Sequence, residues 1–211
     1  MLPDLWRMVD RRVRPIRGPI AAVGGGDELA SVLWGIEHHL QVDRWFHSAE
    51  AFLEGERRTI ESLRASGVDA PKLGLFAHIA WELCLDGSLV RREGFDQTLQ
   101  TLRDGFDGVG PPAHRAVALH HFDRIERTIG ERRAFEDALQ GLIAELIRGR
   151  LIAAYQNGPG VARRIEGIRV RLGFPSFAES DRQKLGEVLD ALGPHADAAL
   201  ADLTMHEPGS M

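Results

Sequence analysis

Two sets of residues have the types and the spacing to hold a metal ion. The first is His39, Asp43 and His47, each four residues from the next, with His38 alongside; the second is His78, Glu82 and Asp86 at the same spacing. Residues four apart lie on one side of an α-helix, one turn above the other. Each set therefore forms a stripe, and two such helices packed face to face would offer up to six ligands. Imidazole nitrogen and carboxylate oxygen together suit a divalent Zn, Mn, Fe or Mg ion without choosing among them. Building a metal site from facing helices is common in helical proteins. Both stripes sit among apolar residues: Leu33, Trp34 and Ile36 for the first, Phe76, Ile79, Ala80, Trp81 and Leu83 for the second. Ionisable groups buried there without partners would be costly. A metal removes that cost, and so does a mutual hydrogen-bonded network. Two three-member stripes within fifty residues favour the metal.

Other reactive side chains are less organised. His120, His121 and Asp123 form a third cluster, in which one histidine would be a further ligand or proton-transfer group, or simply a core residue beside an exposed one. His114 and His195 lie close after prolines and read as surface, and His206 is in the tail. The sole cysteine, Cys84, excludes an intramolecular disulfide and reads as a small buried residue. Arg11, Arg12, Arg14 and Arg17 form a basic run, with smaller groups at Arg91-Arg92, Arg148, Arg150, Arg163 and Arg164. These are solvated surface, or a docking face for phosphate or an acidic protein.

The elements that must carry these residues are helical. Apolar residues recur at three- and four-residue steps, and alternating β-branched runs are absent, so the chain reads as all-α. A short N-terminal helix and a loop ending in Gly24-Gly25-Gly26 precede a helix from Asp27 to about Phe46. Ser48 would cap the next helix, ending near Gly67. A third runs from 72 to about 87, with Gly87 marking its end. Further helices are expected over 95–106, 113–128, 132–156, 160–171 and from Ser180 or Asp181 to about 203, with a frayed tail over 205–211. The 211 residues suit a single domain, 1–211, with 1–26 as an N-terminal segment. A net charge of −5 with a pI near 6.0 argues against nucleic acid as partner. No uninterrupted apolar run of 18 residues suggests a transmembrane helix, and the N-terminus lacks a secretory pattern, so a cytoplasmic location is expected.

Around the stripes the chain resembles the acyl carrier protein phosphodiesterase family, divergent relatives of the HD-domain metal phosphohydrolases. That family carries Gly-Ile-x-x-His-Arg-x-Ile-Asp-x-Phe-Thr-Asp; here residues 35–47 read Gly-Ile-Glu-His-His-Leu-Gln-Val-Asp-Arg-Trp-Phe-His, so His39 and Asp43 match its histidine and aspartate. Leu2-Pro3-Asp4-Leu5 looks like the family's Leu-Leu-Ala-Asp-Phe element, which makes Asp4 a candidate ligand. His78-Ile79-Ala80-Trp81-Glu82-Leu83 falls where the family has Asp-x-x-x-Asp-His-Phe-Leu. The departures are Leu40 for arginine, His47 for the second aspartate, His78 and Glu82 for two aspartates, and Leu83 for the histidine after them. The family's opening Asn-Phe-Leu-Ala-His segment has no counterpart, as in a chain that begins some residues later.

The resemblance implies an HD-like helical bundle and a metal-dependent phosphodiesterase. The family's reaction removes 4′-phosphopantetheine from acyl carrier protein. Asp4, His39, Asp43, His78 and Glu82 would hold the metal, with His47 and Asp86 as ligands or orienting residues. His38 or His120 would be the general acid, and Arg11, Arg12, Arg14 and Arg17 would steer an acidic carrier protein. Partners would be acyl carrier protein or a small phosphodiester. Two other functions fit the residues: a zinc-dependent, phospholipase C-like hydrolase of another phosphoester, and a helical binding protein that kept the stripes without activity.

Overall fold

Where each helix lies follows from the apolar steps in the chain, and where each ends follows from glycine, proline and close packing. The computed structural model describes residues 2–13, 27–68, 70–107, 118, 122 and 128–206. Among these are ten α-helices, one 3₁₀ turn and no strand, so the fold is all-α. They are α1 (Leu2–Val9), α2 (Asp27–Ser48), α3 (Glu50–Ala65), α4 (Leu73–Glu93), α5 (Phe95–Asp107), α6 (Ile129–Ile147), α7 (Arg150–Ala153), the 3₁₀ turn Ala154–Gln156, α8 (Gly158–Arg171), α9 (Glu179–Ala191) and α10 (Gly193–Met205). The chain divides into two compact units: residues 1–43 with 99–148, and residues 44–98 with 149–211. The expected helix over 113–128, and with it His114, His120, His121 and Asp123, lies largely outside the described residues.

The second unit is organised around α4. Eleven of its 21 residues are buried, among them Phe76, Ala80, Trp81, Cys84 and Leu85. A helix apolar on most sides belongs in the middle of a core. By length and composition α4 could also cross a bilayer; its packing inside this unit accounts for its apolar residues. On α3, Phe52, Gly55, Thr59 and Leu63 are the buried residues. Their spacing of three, four and four is one helical face, and it lies against α4. Helices α8, α9 and α10 complete the core with Val161, Ile165, Leu185, Leu189 and Leu203. Full burial of side chains such as Phe52 and Leu63 contributes about 1.5–3 kcal/mol each.

The first unit has its own apolar cluster. Leu5 and Trp6 of α1 are buried, and α1 packs on α6, whose buried residues are Phe135, Leu139 and Leu146. Phe122 stacks on Phe135 with ring centroids 4.6 Å apart. Helix α6 begins at a full capping box: the Thr128 side chain accepts from the Glu131 backbone N–H, and the Glu131 carboxylate accepts from the Thr128 backbone N–H.

Several expected helix boundaries differ in the structure. Ser180 and Asp181 do not cap their helix but lie inside the first turn of α9, whose cap position is Ala178 with no side-chain bond. The helix expected from 132 begins at Ile129. Ser48 does not cap α3; its hydroxyl donates to the Trp45 carbonyl, and Ala49 takes the cap position with no side-chain bond. The expected helix over 132–156 is interrupted at Gly149, whose φ of +78° suits only glycine well, and restarts as α7. The last expected helix is two, α9 and α10, because Pro194 has no N–H to continue the ladder and instead opens α10. Helix α4 runs past Gly87 to Glu93 and is stopped by Gly94, with φ +87°.

Gly87 serves packing instead. A Cβ there would stand 2.0 Å from the Tyr155 carbonyl oxygen. Alanine improves helix propensity by about 1 kcal/mol, but overpacking against backbone costs about 1–3 kcal/mol and can cost more. The contact is with a carbonyl that cannot swing away, so the upper part of that range applies. Gly87→Ala is therefore expected to be destabilised by about 1–2 kcal/mol in urea melts. An equal or higher melting midpoint would show that the two segments separate without loss.

Candidate metal centre

Helix α4 places His78 and Glu82 one turn apart on one side, and the last turn of α2 supplies His47. The Nε2 of His47 lies 2.7 Å from Oε1 of Glu82. The Nε2 of His78 lies 3.3 Å from the same oxygen. The two imidazoles stack nearly parallel, with centroids 5.1 Å apart and an angle of 15°. Phe52 on α3 meets both edge-on, at 4.9 Å from His47 and 5.3 Å from His78. The rings are thus held side by side with their Nε2 atoms turned toward one carboxylate oxygen. On the far side of His78, Nδ1 lies 3.5 Å from Oε1 of Glu56, also on α3.

These three side chains could hold a metal ion: one ligand atom from each of His47, His78 and Glu82 lies within 4.8 Å of the others. Around a tetrahedral ion with bonds near 2.0–2.1 Å, neighbouring ligand atoms are about 3.3 Å apart. The His78–Glu82 separation already has that value, and His47 needs to withdraw from Glu82 by roughly half an ångström to reach it. Side-chain exposures of 30, 32 and 34% for His47, His78 and Glu82 leave one side open to solvent. Two imidazoles and one carboxylate with an open side match the donor set of catalytic zinc sites and of iron sites with two histidines and a carboxylate.

The remaining expected site residues are placed as follows. In the first unit, His39 Nε2 lies 3.2 Å from Oδ2 of Asp4. Partial burial pushes the Asp4 carboxyl up, but the hydrogen bond and charge of His39, together with the N-terminal amine, outweigh it and leave it below the ordinary carboxylate value. Asp43, one turn on from His39 on α2, is half-buried. His38 is exposed and stacks at 5.3 Å, almost parallel, on the exposed Trp34. In the second unit Asp86 is exposed one turn beyond Glu82 and lies close enough to Tyr155 to raise its pKa, together with the larger effect of burial. Of the basic run, Arg11 is exposed. Arg12 is tied to Asp10, its Nη2 and Nε donating at 2.6 and 2.8 Å. Arg14, Arg17 and His120 lie outside the described residues.

No family model, curated protein or solved structure matches the chain. The centre therefore stands on its own geometry. That geometry includes two residues that were not among the expected site residues: Phe52, which the pattern marks only as an apolar residue of its helix, and Glu56. They too are four apart, on the face of α3 turned to α4. Their spacing was visible, but a phenylalanine and a glutamate four apart become a pair of supports only once α3 is known to pack on α4.

Elsewhere in the second unit, the thiol of Cys84 lines a cleft with Arg91, Tyr155, Asp190 and Asp197. Burial pushes its pKa up to about 12, so it is a packed thiol and not a nucleophile. The carboxylate of Asp197 there accepts from the Ser88 hydroxyl at 2.5 Å and from Arg91 at 2.8 Å.

Proposed function

We propose that this protein is a metal-dependent hydrolase of phosphoric diesters, with His47, His78 and Glu82 holding the ion. The observation that carries the reading is the convergence of two imidazole nitrogens and one carboxylate oxygen from α2 and α4 at a partly open surface. A divalent ion held there by His47, His78 and Glu82 would supply a water of lowered pKa and would offset negative charge developing on phosphate oxygens. The chain's own residues do the rest. With an ion in place, His47 and His78 would turn Nε2 lone pairs to it and Glu82 would supply negative charge and a second carboxylate oxygen, while Phe52 keeps both rings in place from the core side. The choice of a phosphodiester as substrate is supported by the sequence blocks at residues 35–47 and 78–83 that resemble the acyl carrier protein phosphodiesterases. Within that class, 4′-phosphopantetheine on acyl carrier protein is the specific substrate proposed. Two histidines with one carboxylate favour zinc, and under that reading another phosphoester is the alternative substrate.

The test uses the full chain loaded with Zn, Mn or Fe. Activity on bis(p-nitrophenyl) phosphate, abolished by chelation and restored by one of these metals, is expected, with release of phosphopantetheine from holo acyl carrier protein as the specific case. Hydrolysis of the small diester alone would keep the chemistry and remove the carrier protein. A metal-loaded protein inert toward both would leave a metal-binding helical protein without this activity.

A further inference from the structure

We propose that Glu56 is a positioning residue for His78. It would hold the imidazole proton on Nδ1 so that Nε2 offers its lone pair to the ion. This rests on the metal reading of the same centre. The argument starts from what Glu56 faces. The neighbouring arginines of α3 turn elsewhere: Arg57 pairs with Glu54 at 2.6 Å, and Arg58 lies 3.8 Å from Glu54 and 3.1 Å from the ring of His195. Among the described residues, the one charged contact of Glu56 is with Nδ1 of His78 at 3.5 Å. Its side chain is only 26% exposed, so this partly buried carboxylate is spent on one imidazole nitrogen.

His78 thus has a carboxylate beside each ring nitrogen, Glu56 at 3.5 Å from Nδ1 and Glu82 at 3.3 Å from Nε2. A neutral imidazole carries one ring proton, and the partner of one nitrogen decides which nitrogen is left to bind a metal. If Glu82 alone faced the ring, the proton would sit on Nε2, where the ion must bind. Once an ion takes the Nε2 side, a second carboxylate on the opposite edge accepts the remaining proton at Nδ1 and fixes the ring's rotation. Metal-bound histidines commonly have this arrangement, with the distal N–H donated to a carboxylate, and loss of that partner weakens metal binding by about 10–100-fold. Phe52 packs the edges of both rings but cannot select a tautomer, so Glu56 alone supplies that selection among the described residues.

Cobalt(II) titration of the full chain, followed by its visible d–d absorption and by competition with a chelating dye, tests the role. Wild type is expected to bind with a defined band. Glu56→Leu should bind about 10–100-fold more weakly with an altered band. Glu56→Gln, which keeps an accepting oxygen, should recover most of the affinity. Metal-free melting curves of the three proteins should stay close together. A second measurement needs no variant: long-range ¹⁵N–¹H correlation of the zinc-loaded wild type should place the His78 proton on Nδ1. Wild-type affinity and band in Glu56→Leu, or the proton on Nε2, would overturn the role of Glu56 while leaving the metal centre standing. A wild type that binds neither cobalt nor zinc would sink the metal centre itself, and Glu56 with it.

Discussion

Wild-type protein purified without chelators is expected to carry about one equivalent of Zn, Mn or Fe, or to take it up on add-back. His47→Ala and Glu82→Ala should each retain less than about a tenth of that. Each variant removes one of the three ligands found among the described residues, so the loss should exceed the ~10–100-fold that follows when a partner outside the coordination sphere is removed. Fold should not confuse the result. Each of these side chains is about a third exposed, so truncation opens no deep cavity and leaves no buried charge stranded. Circular dichroism and urea midpoints should therefore stay near wild type while elemental analysis changes. Glu82→Ala is the sharper of the two, because the same oxygen meets both imidazoles. Without it the rings lose their shared acceptor but remain stacked beside Phe52 and open to water. A wild type that stays metal-free after add-back would mean that Glu82 bridges the two imidazoles as a hydrogen-bonded network, and would favour a helical binding protein.

Phe52→Ala should show the largest stability loss of any single truncation at the centre, about 3–5 kcal/mol. The ring is completely buried and touches Phe46, His47 and His78. Two losses add: the apolar area returned to water with a cavity left behind, and the edge-on aromatic contacts, each worth about 0.5–1.5 kcal/mol beyond area. Against a total stability of about 5–15 kcal/mol for an ordinary domain, this is a large fraction. A shift of the urea midpoint without change of slope would report it. Metal affinity should fall as well, because neither imidazole keeps its support. Phe52→Leu should lose less stability, since most of the volume remains. A Phe52→Ala protein as stable as wild type would show that the cluster of rings contributes nothing to the core of this unit.

The ligand supply of α4 was readable in advance. His78 and Glu82 are one turn apart on a helix whose apolar residues leave no doubt about its type, and a four-residue step is a local property of the chain. Membership of the centre was not readable in the same way. His39, Asp43 and His47 form one stripe by spacing, yet His39 meets Asp4 in the first unit while His47 meets Glu82 in the second. Periodicity names a face of a helix; it does not say which turn of that face meets which neighbour. Glu56 illustrates the same limit from the other side. Among many glutamates on an amphipathic helix, only its position opposite His78 sets it apart.

Helix ends divide along the same line. Thr128 and Glu131, Asn157 with Gly160, and Pro194 are signals that act through their own neighbours, and each corresponds to a helix start in the structure. Gly87 and Gly94 carry the same residue type with opposite meanings. One is a close approach to the Tyr155 carbonyl inside α4, the other the stop that ends it. Nothing within a few residues of Gly87 distinguishes them, because the carbonyl it accommodates comes from 68 residues further along the chain. By itself the sequence determined the all-α class and a supply of imidazoles and carboxylates at helical spacing, since both depend on interactions within a few residues. Tertiary structure decided that His47, His78 and Glu82 share one oxygen-centred cluster with Phe52 and Glu56 beside it. That grouping depends on how α2, α3 and α4 pack, and packing is set by contacts distant in the chain.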